Sequence, residues 1–414
     1  RLILARDPYG IKPLYYADDG WTVRFASQVK ALVAGGGVSR ALEPAGLVGF
    51  YLWGSVPDPF TTLLDVRALP AGSFAIVDRT GLREPIRYYS IADVIAAAAR
   101  SPDDATAISV EDRRVAREAM LDSVRAHLVS DVPVGLFLSA GVDSGTLLGL
   151  MRECHTGGIK TITLSFDEFS GSADDETPLA RAIAGRFGTE HIVSLVSATE
   201  FRSELPRILD AMDQPSIDGL NTWFVAKAAA AHGLKVAISG LGGDELVGGY
   251  PTFRDIPRLV RSTKWCTRIP GLGALSRRAL CAPMLQSLLL SPKAAGILEL
   301  GGTLAGAYLL RRGLYMPWEL TAFLDEETVR LGLERLQPIE GTNKEIGDET
   351  PAGFSAVATL ESTRYLRNQL LRDADWAAMA HGVEVRVPLV DVRLLERLAP
   401  ICSRVGFRHG KALL

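Results

Sequence analysis

Over residues 1 to about 90, short apolar runs alternate with turn signals such as Asp7-Pro-Tyr-Gly10, Asp18-Asp-Gly20 and Asp78-Arg-Thr-Gly81. That rhythm predicts a β-rich region. Its expected strands cover residues 14–16, 23–25 and 73–77, with helices near 29–33 and 44–52. Residues 91–109 turn Ala-rich and then polar, at Ser101 to Asp104, and are expected to be a linker. A helix is expected from about 110 to 128, with Val115, Ala119, Val124 and Leu128 close to helical spacing.

From residue 132 the pattern changes. Continuous apolar runs at 134–138, 161–166, 191–195 and 234–239 read as strands buried on both faces. Helical patterns separate them, at 144–154, 177–187, 198–212 and 223–232. Alternation of this kind predicts an α/β fold with a doubly wound parallel sheet, whose ligands sit at the carboxyl ends of the strands. Beyond about 255 the signal is helical, with a long helical stretch at 361–381 followed by a Val-rich segment at 383–391. The expected division is 1–90, a linker at 91–109, and 110–414.

Composition changes this picture little. The chain has 414 residues, 47% hydrophobic and 22% charged, with a formal net charge of -3. That length suits two domains, and that charge gives no general attraction to nucleic acid or to an anionic membrane. The cysteines, Cys154, Cys266, Cys281 and Cys402, are scattered, so neither a zinc site nor a disulfide framework is expected, and a reducing cytoplasm fits. No apolar run is long enough to span a membrane. The chain opens in a strand-like run at Arg1 and closes in a helix-like start at Lys411 to Leu414, so a fragment is expected.

Two loops carry the chemistry. Leu138-Ser-Ala-Gly-Val-Asp-Ser144 follows a buried strand and opens a helix. Small residues let successive N–H groups converge on an anion, and the helix N-terminus adds its positive end. Asp143 would repel a phosphate directly, so its natural role is to hold Mg²⁺. The plainer alternative is a strand–turn–helix junction with an Asp or Ser cap. Ser239-Gly-Leu-Gly-Gly-Asp-Glu-Leu-Val-Gly-Gly-Tyr250 follows a second strand. Asp244 suits a second magnesium ligand, and Glu245 suits a metal or a neighbouring cation. An acid-capped helix start would explain Asp244 and Glu245, but not the glycines around them.

Together the two loops resemble the ATP-pyrophosphatase loop and the second nucleotide loop of asparagine synthetases. The segment from Ala378 to Asp391 is similar to a late signature of that family. The segments from Asp7 to Tyr16 and from Phe25 to Ser27 are similar to the rear half of its N-terminal-nucleophile glutaminase domain. The resemblance implies a partial class II glutamine amidotransferase domain at 1–90. It further implies a synthetase domain of ATP-pyrophosphatase type at 110–414, with a helical C-terminal part. The implied reaction joins ammonia from glutamine to aspartate through an acyl-adenylate, releasing AMP and diphosphate. ATP and Mg²⁺ are the implied cofactors; glutamine or ammonia and aspartate or another small carboxylate are the implied substrates. A homodimer is compatible with it.

Carried over position by position, Ser139, Gly141, Asp143 and Ser144 match the pyrophosphate loop. Leu138 and Leu164 match positions flanking the adenosine, and Ser239 and Gly240 match nucleotide contacts. Asp143 and Asp244 match magnesium ligands. Lys411 matches a lysine that neutralises charge developing on the phosphates. Three positions depart from the pattern. Ala140 replaces a glycine and requires negative φ there. Gln28 replaces an acid in the first domain. Leu241 stands where asparagine-forming enzymes carry an acidic residue, so it favours other acceptors, as in β-lactam synthetases or lasso-peptide cyclases. A paralogue without turnover is the third reading, against which stand Asp143, Asp244, Glu245 and Lys411.

The remaining residues carry weaker signals. His127, His155, His191, His232, His381 and His409 lack metal-ligand spacing. Trp53, Trp223 and Trp376 are expected to pack. The segment from Asp213 to Asp218 reads equally as an acceptor-pocket wall or a proline turn. Arg386 is expected to pair with a carboxylate, of the protein or of the substrate.

Overall fold

The computed structural model describes residues 1–100, 107–266, 269, 271–281, 291–347, 350–351, 353–406 and 410–414. The chain forms two compact units: Arg1–Pro102, Gln214–Ile217 and Gly249–Asn368 in the first, and Asp103–Asp213, Asp218–Gly248 and Gln369–Leu414 in the second.

Among the described residues the first unit contains seven short strands: β1 (Leu2–Ala5), β2 (Tyr15–Asp18), β3 (Val23–Ala26), β4 (Arg67–Ala68), β5 (Ser73–Asp78), β6 (Gly81–Leu82) and β7 (Ile86–Arg87). They make two antiparallel sheets, β1-β5-β6 with β7 also on β5, and β3-β2-β4. Leu4, Leu69 and Ala75 are buried, and Leu14, Tyr16, Val77 and Leu82 pack against them. The predicted turn at Asp7 to Gly10 is an ordered loop. The Asp7 carboxylate accepts from the amides of Tyr9, Ile11 and Lys12, and Gly10 takes the left-handed φ of 75° that glycine tolerates. The Arg6 guanidinium beside it pairs with Asp58 at 2.6 Å. It also donates to the carbonyls of Lys12, Leu69 and Gly10. A buried cation costs little when its donors are satisfied in this way.

The stretch expected to be a linker begins as a helix, Ile91–Ala99. Ser90 caps it, accepting from the Asp93 amide, and Ile91, Ile95 and Ala96 bury one face. The Ala-rich composition that suggested a linker is also a helix-forming one. The polar residues Ser101 to Asp104 lie outside the described residues. Gln214, expected either in a pocket wall or a proline turn, is buried and accepts from the Thr62 amide at 2.9 Å. Ile217 donates its amide to Gly54. Residues 214–217 are thus tied into the first unit by the Gln214 side chain and by backbone pairing at Ser216 and Ile217. Trp53 packs there with Tyr308, ring centroids 5.8 Å apart.

The second unit is built on five parallel strands: β8 (Val134–Phe137), β9 (Lys160–Phe166), β10 (Glu190–Val196), β11 (Val236–Ile238) and β12 (Glu384–Arg386). Their order is β10-β9-β8-β11-β12. The first three run outward in sequence order, and the chain then returns to the other side of β8. The point of reversal therefore lies between β8 and β11, where open parallel sheets form a crevice. The predicted strands and intervening helices of this unit are present to within a few residues. The sequence reading lacks β12, a short strand carrying Glu384 and Arg386. Its trace in the sequence is period two: Val383, Val385 and Val387 are all buried.

Arg386 is structural. It donates to Glu384 and to the carbonyls of His127 and Val129. Asp391 caps the helix Val392–Val405, accepting from the amides of Arg393 and Leu394. The long helical stretch is not uniformly α: Glu361–Leu371 is a π-helix, and Arg372–Met379 is α. Trp223 and Trp376 pack together with ring centroids 6.3 Å apart. Their indole nitrogens donate to Glu204 and Asp373.

His381 lies edge-on to Trp223, with ring centroids 4.3 Å apart. Burial, chiefly, and the charges of Arg207 and Lys227 hold its pKa below the usual value of 6.5, and Glu204 only partly opposes them. The neutral ring is therefore favoured in the folded chain. Stability contributed by this group is present above the unfolded pKa and is lost as pH falls through the folded one. We expect the unfolding midpoint to drop on acidification below pH ~6.5, the unfolded histidine value. His381→Phe should make that slope shallower, as followed by thermal melts across a pH series.

Candidate active site

The two glycine-bearing loops leave β8 and β11, which pair directly, Val236 opposite Val134 and Ile238 opposite Leu136. After β8 the chain turns through Ser139 and enters the helix Val142–Cys154 with Gly141 at its N-cap. The loop is held by its own serines. Ser144 is buried and bonds the Ser139 hydroxyl at 3.0 Å, and its hydroxyl accepts from the Ser139 amide. The Gly141 amide donates to the Ser139 hydroxyl at 3.1 Å. With both hydroxyls binding the backbone, the first-turn amides of Val142, Asp143 and Ser144 have no acceptor within the helix, as at any helix start. Those amides and the helix dipole give this loop end a positive potential. Ala140 keeps the negative φ it needs, since Gln337 is the one described non-glycine with a positive value. Its amide donates to Glu176 at 3.1 Å.

The loop after β11 is shaped by close approach. Gly242 has a left-handed φ of 91° and starts the short helix Gly243–Val247. A Cβ on Gly243 would stand 2.5 Å from a carboxylate oxygen of Asp143, and one on Gly240 would stand 3.3 Å from the Ser144 amide. The second loop thus lies directly against the first, with room for hydrogen only. This explains the glycine density that an acidic helix cap left unexplained.

Lys411 joins them. Its ammonium bonds Asp143 at 2.5 Å and Asp244 at 2.6 Å. The short helix Gly410–Leu413 that carries it is seated by Gly410, where a Cβ would come within 1.8 Å of the Val247 carbonyl. Arg113 donates to the Ala412 carbonyl from the helix Val110–His127. Burial pushes the Asp143 carboxyl above its ordinary value and Asp244 adds to that, while Lys411 pulls it back. For Lys411, burial works against the charge, but hydrogen bonds to both carboxylates outweigh it and raise its pKa. Two carboxylates against one ammonium leave the cluster short of positive charge.

Among the described residues, no group of three or more His, Cys, Asp and Glu side chains could hold a metal ion. Mg²⁺ bound with a nucleotide does not need one, because one or two carboxylates and phosphate oxygens suffice. Asp143 and Asp244, close together and incompletely neutralised, fit that donor set.

The other sequence-predicted residues divide by environment. Leu138 is buried, and its carbonyl accepts from Thr163 at 2.6 Å. Leu164 is half-buried against the Val196 and Phe224 cluster. Ser239 and Gly240 are half-buried at the β11 end, where the Ser239 amide donates to the Arg386 carbonyl. Leu241 is half-buried and apolar, and Glu245 is buried at 1% exposure. His409 lies outside the described residues. Sequence reasoning missed Gly410, Thr163 and Glu176. Gly410 announces itself only by preceding Lys411, and the other two by contacts across the fold.

Among the described residues no helix is long and apolar enough to cross a membrane. The glutamine amidotransferase domain family matches residues 1–89. Asparagine synthetase [glutamine-hydrolyzing] 1 of Bacillus subtilis is 30% identical over 98% of this chain, which spans 60% of that relative's length. Amidase chry2 of Gibberella zeae is 32% identical over 61% of this chain and 38% of its own. An NH3-dependent NAD synthetase structure from Campylobacter jejuni covers 55% of this chain and 93% of its own at 15% identity, with a TM-score of 0.24 that carries no argument about the fold. The asparagine synthase family matches residues 115–412, which include both loops and Lys411. The chain belongs to the asparagine synthase family.

Proposed function

We propose that the second unit activates a carboxylate by adenylation with ATP, so that ammonia can displace AMP and form an amide. The observation that carries this reading is the Lys411 ammonium held by Asp143 and Asp244 across two loops at the sheet's reversal point. Asparagine synthesis from aspartate, with glutamine-derived ammonia, is the leading reaction. Residues 1–90 are then part of a glutaminase domain and 110–414 the synthetase part. Leu241, an apolar residue in the same loop as Asp244, keeps a different acceptor acid as the second reading.

Adenylation builds negative charge on the α-phosphoryl group and on departing pyrophosphate. In this reading the amides of residues 142–144 receive the pyrophosphate end and orient it for in-line attack. Lys411 places a fixed positive charge beside it. Asp143 and Asp244 would hold Mg²⁺, which would supply positive charge against the phosphates. Leu138, Leu164, Ser239 and Gly240 border the nucleoside. Little covalent chemistry falls to the protein, and positioning dominates.

The full-length protein supplied with ATP, Mg²⁺, ammonia and candidate acids should release pyrophosphate together with an amide. Asparagine from aspartate supports the leading reaction, release only with another acid supports the second, and no release with any acid overturns both. Asp143→Asn should lower pyrophosphate release by about 100-fold or more with an unchanged circular dichroism spectrum. Retained turnover would remove Asp143 from the proposed role. Gly243→Ala adds a methyl group against the Asp143 carboxylate. It should cost ~1–3 kcal/mol in chemical denaturation, the usual range for overpacking.

A further inference from the structure

The loop after β8 is held from the side of β9 as well as by its own serines. Leu138, the residue that leaves β8, donates its amide to the Ile162 carbonyl at 2.8 Å. Its own carbonyl accepts from the buried Thr163 hydroxyl. Two residues on, the Ala140 amide donates to the Glu176 carboxylate at 3.1 Å. Glu176 closes the segment that follows β9 and lies in the same unit as both loops. The start of the loop is therefore fixed to β9 through Leu138, and to the segment after β9 through Ala140.

Glu176 stands at the N-cap position of the helix Thr177–Arg186, where a side-chain oxygen would ordinarily accept from its own helix. Its side chain makes no such capping bond. Asp175 takes that role, accepting from the Thr177 amide with one oxygen and from the Gly171 amide with the other, both at 3.0 Å. The neighbouring acid thus closes the segment and starts the helix, and Glu176 is left to reach across to Ala140. The next amide of the loop, that of Gly141, donates to the Ser139 hydroxyl. The two amides ahead of the first-turn amides of residues 142–144 are in this way both committed to the shape of the loop. Glu176 is exposed, so its bond adds little to global stability, and its effect is on the local backbone.

We infer that Glu176 is a positioning residue for nucleotide binding: by holding the Ala140 amide it fixes the loop so that the amides of residues 142–144 are aligned for the phosphates before they arrive. The inference rests on the adenylation reading for its ligand, a magnesium nucleotide. The bond requires an acceptor oxygen rather than a charge, so glutamine should replace Glu176 and alanine should not. An unpaired carboxylate at a phosphate site would act in the opposite sense, repelling the ligand, and its removal would then tighten binding.

Two measurements on the whole chain test it. Hydrogen exchange followed by mass spectrometry, without nucleotide, should show faster exchange over residues 139–141 in Glu176→Ala and wild-type exchange in Glu176→Gln, with the melting temperature unchanged in both. Titration with Mg²⁺ and an ATP analogue carrying a methylene bridge between the α- and β-phosphorus atoms should show binding weakened about three- to tenfold in Glu176→Ala and near wild type in Glu176→Gln. In turnover, Glu176→Ala should raise KM for ATP by the same factor and leave kcat nearly unchanged. Unchanged exchange, unchanged or tighter binding in Glu176→Ala, a Glu176→Gln variant that behaves like Glu176→Ala, or a fall in kcat without a rise in KM would overturn the inference. Analogue binding that follows the expected pattern, without pyrophosphate release from ATP and any acid, would remove the adenylation reading and leave the inference standing. Failure of the wild-type chain to bind the analogue would overturn both.

Discussion

The ammonium of Lys411 bridges two carboxylates, Asp143 and Asp244, that come from loops at the ends of adjacent parallel strands. Without a cation between them, two partly buried carboxylates at this distance would repel, and the loops could not lie so close. Everything else in the second unit makes that meeting possible. The strand order places β8 beside β11 although about a hundred residues separate them in sequence. Gly240 and Gly243 remove the side chains that would keep the loops apart, and Gly410 lets the lysine-bearing turn settle on Val247.

This arrangement is unfinished in a way that suits its proposed ligand. The serines of the first loop spend their hydroxyls on the backbone, so the loop is shaped before any anion arrives. What remains is a set of first-turn amides, one ammonium and a carboxylate pair with a deficit of positive charge. A magnesium nucleotide brings both complementary parts, an anion for the amides and a cation for the carboxylates.

The sequence made much of this legible because buried parallel strands are written as continuous apolar runs, and nucleotide loops as glycine and serine at strand ends. The helix Val110–His127 and the strands β8 to β11 are readable for that reason. β12 is not, because three residues including Glu384 and Arg386 form too short and too charged a run. The helix Ile91–Ala99 was hidden by an Ala-rich composition that serves linkers and helices alike. Asp143, Asp244 and Lys411 were visible singly, but their convergence depends on strand order and on Gly410, which local patterns do not encode. The grouping of residues 214–217 and 249–368 with the N-terminal strands is likewise a long-range property.

Acyl activation through adenylate makes a demand that no other ATP-dependent route shares: an oxygen of the carboxylate must leave with AMP. The full-length protein should therefore be given ATP, Mg²⁺, ammonia and its acid labelled with heavy oxygen in the carboxylate, and the phosphorus-containing products resolved by mass spectrometry. The account predicts AMP carrying one heavy oxygen, with unlabelled pyrophosphate. Label appearing in inorganic phosphate alongside ADP would contradict it, because the carboxylate would then have attacked the γ-phosphoryl group rather than the α-phosphoryl group.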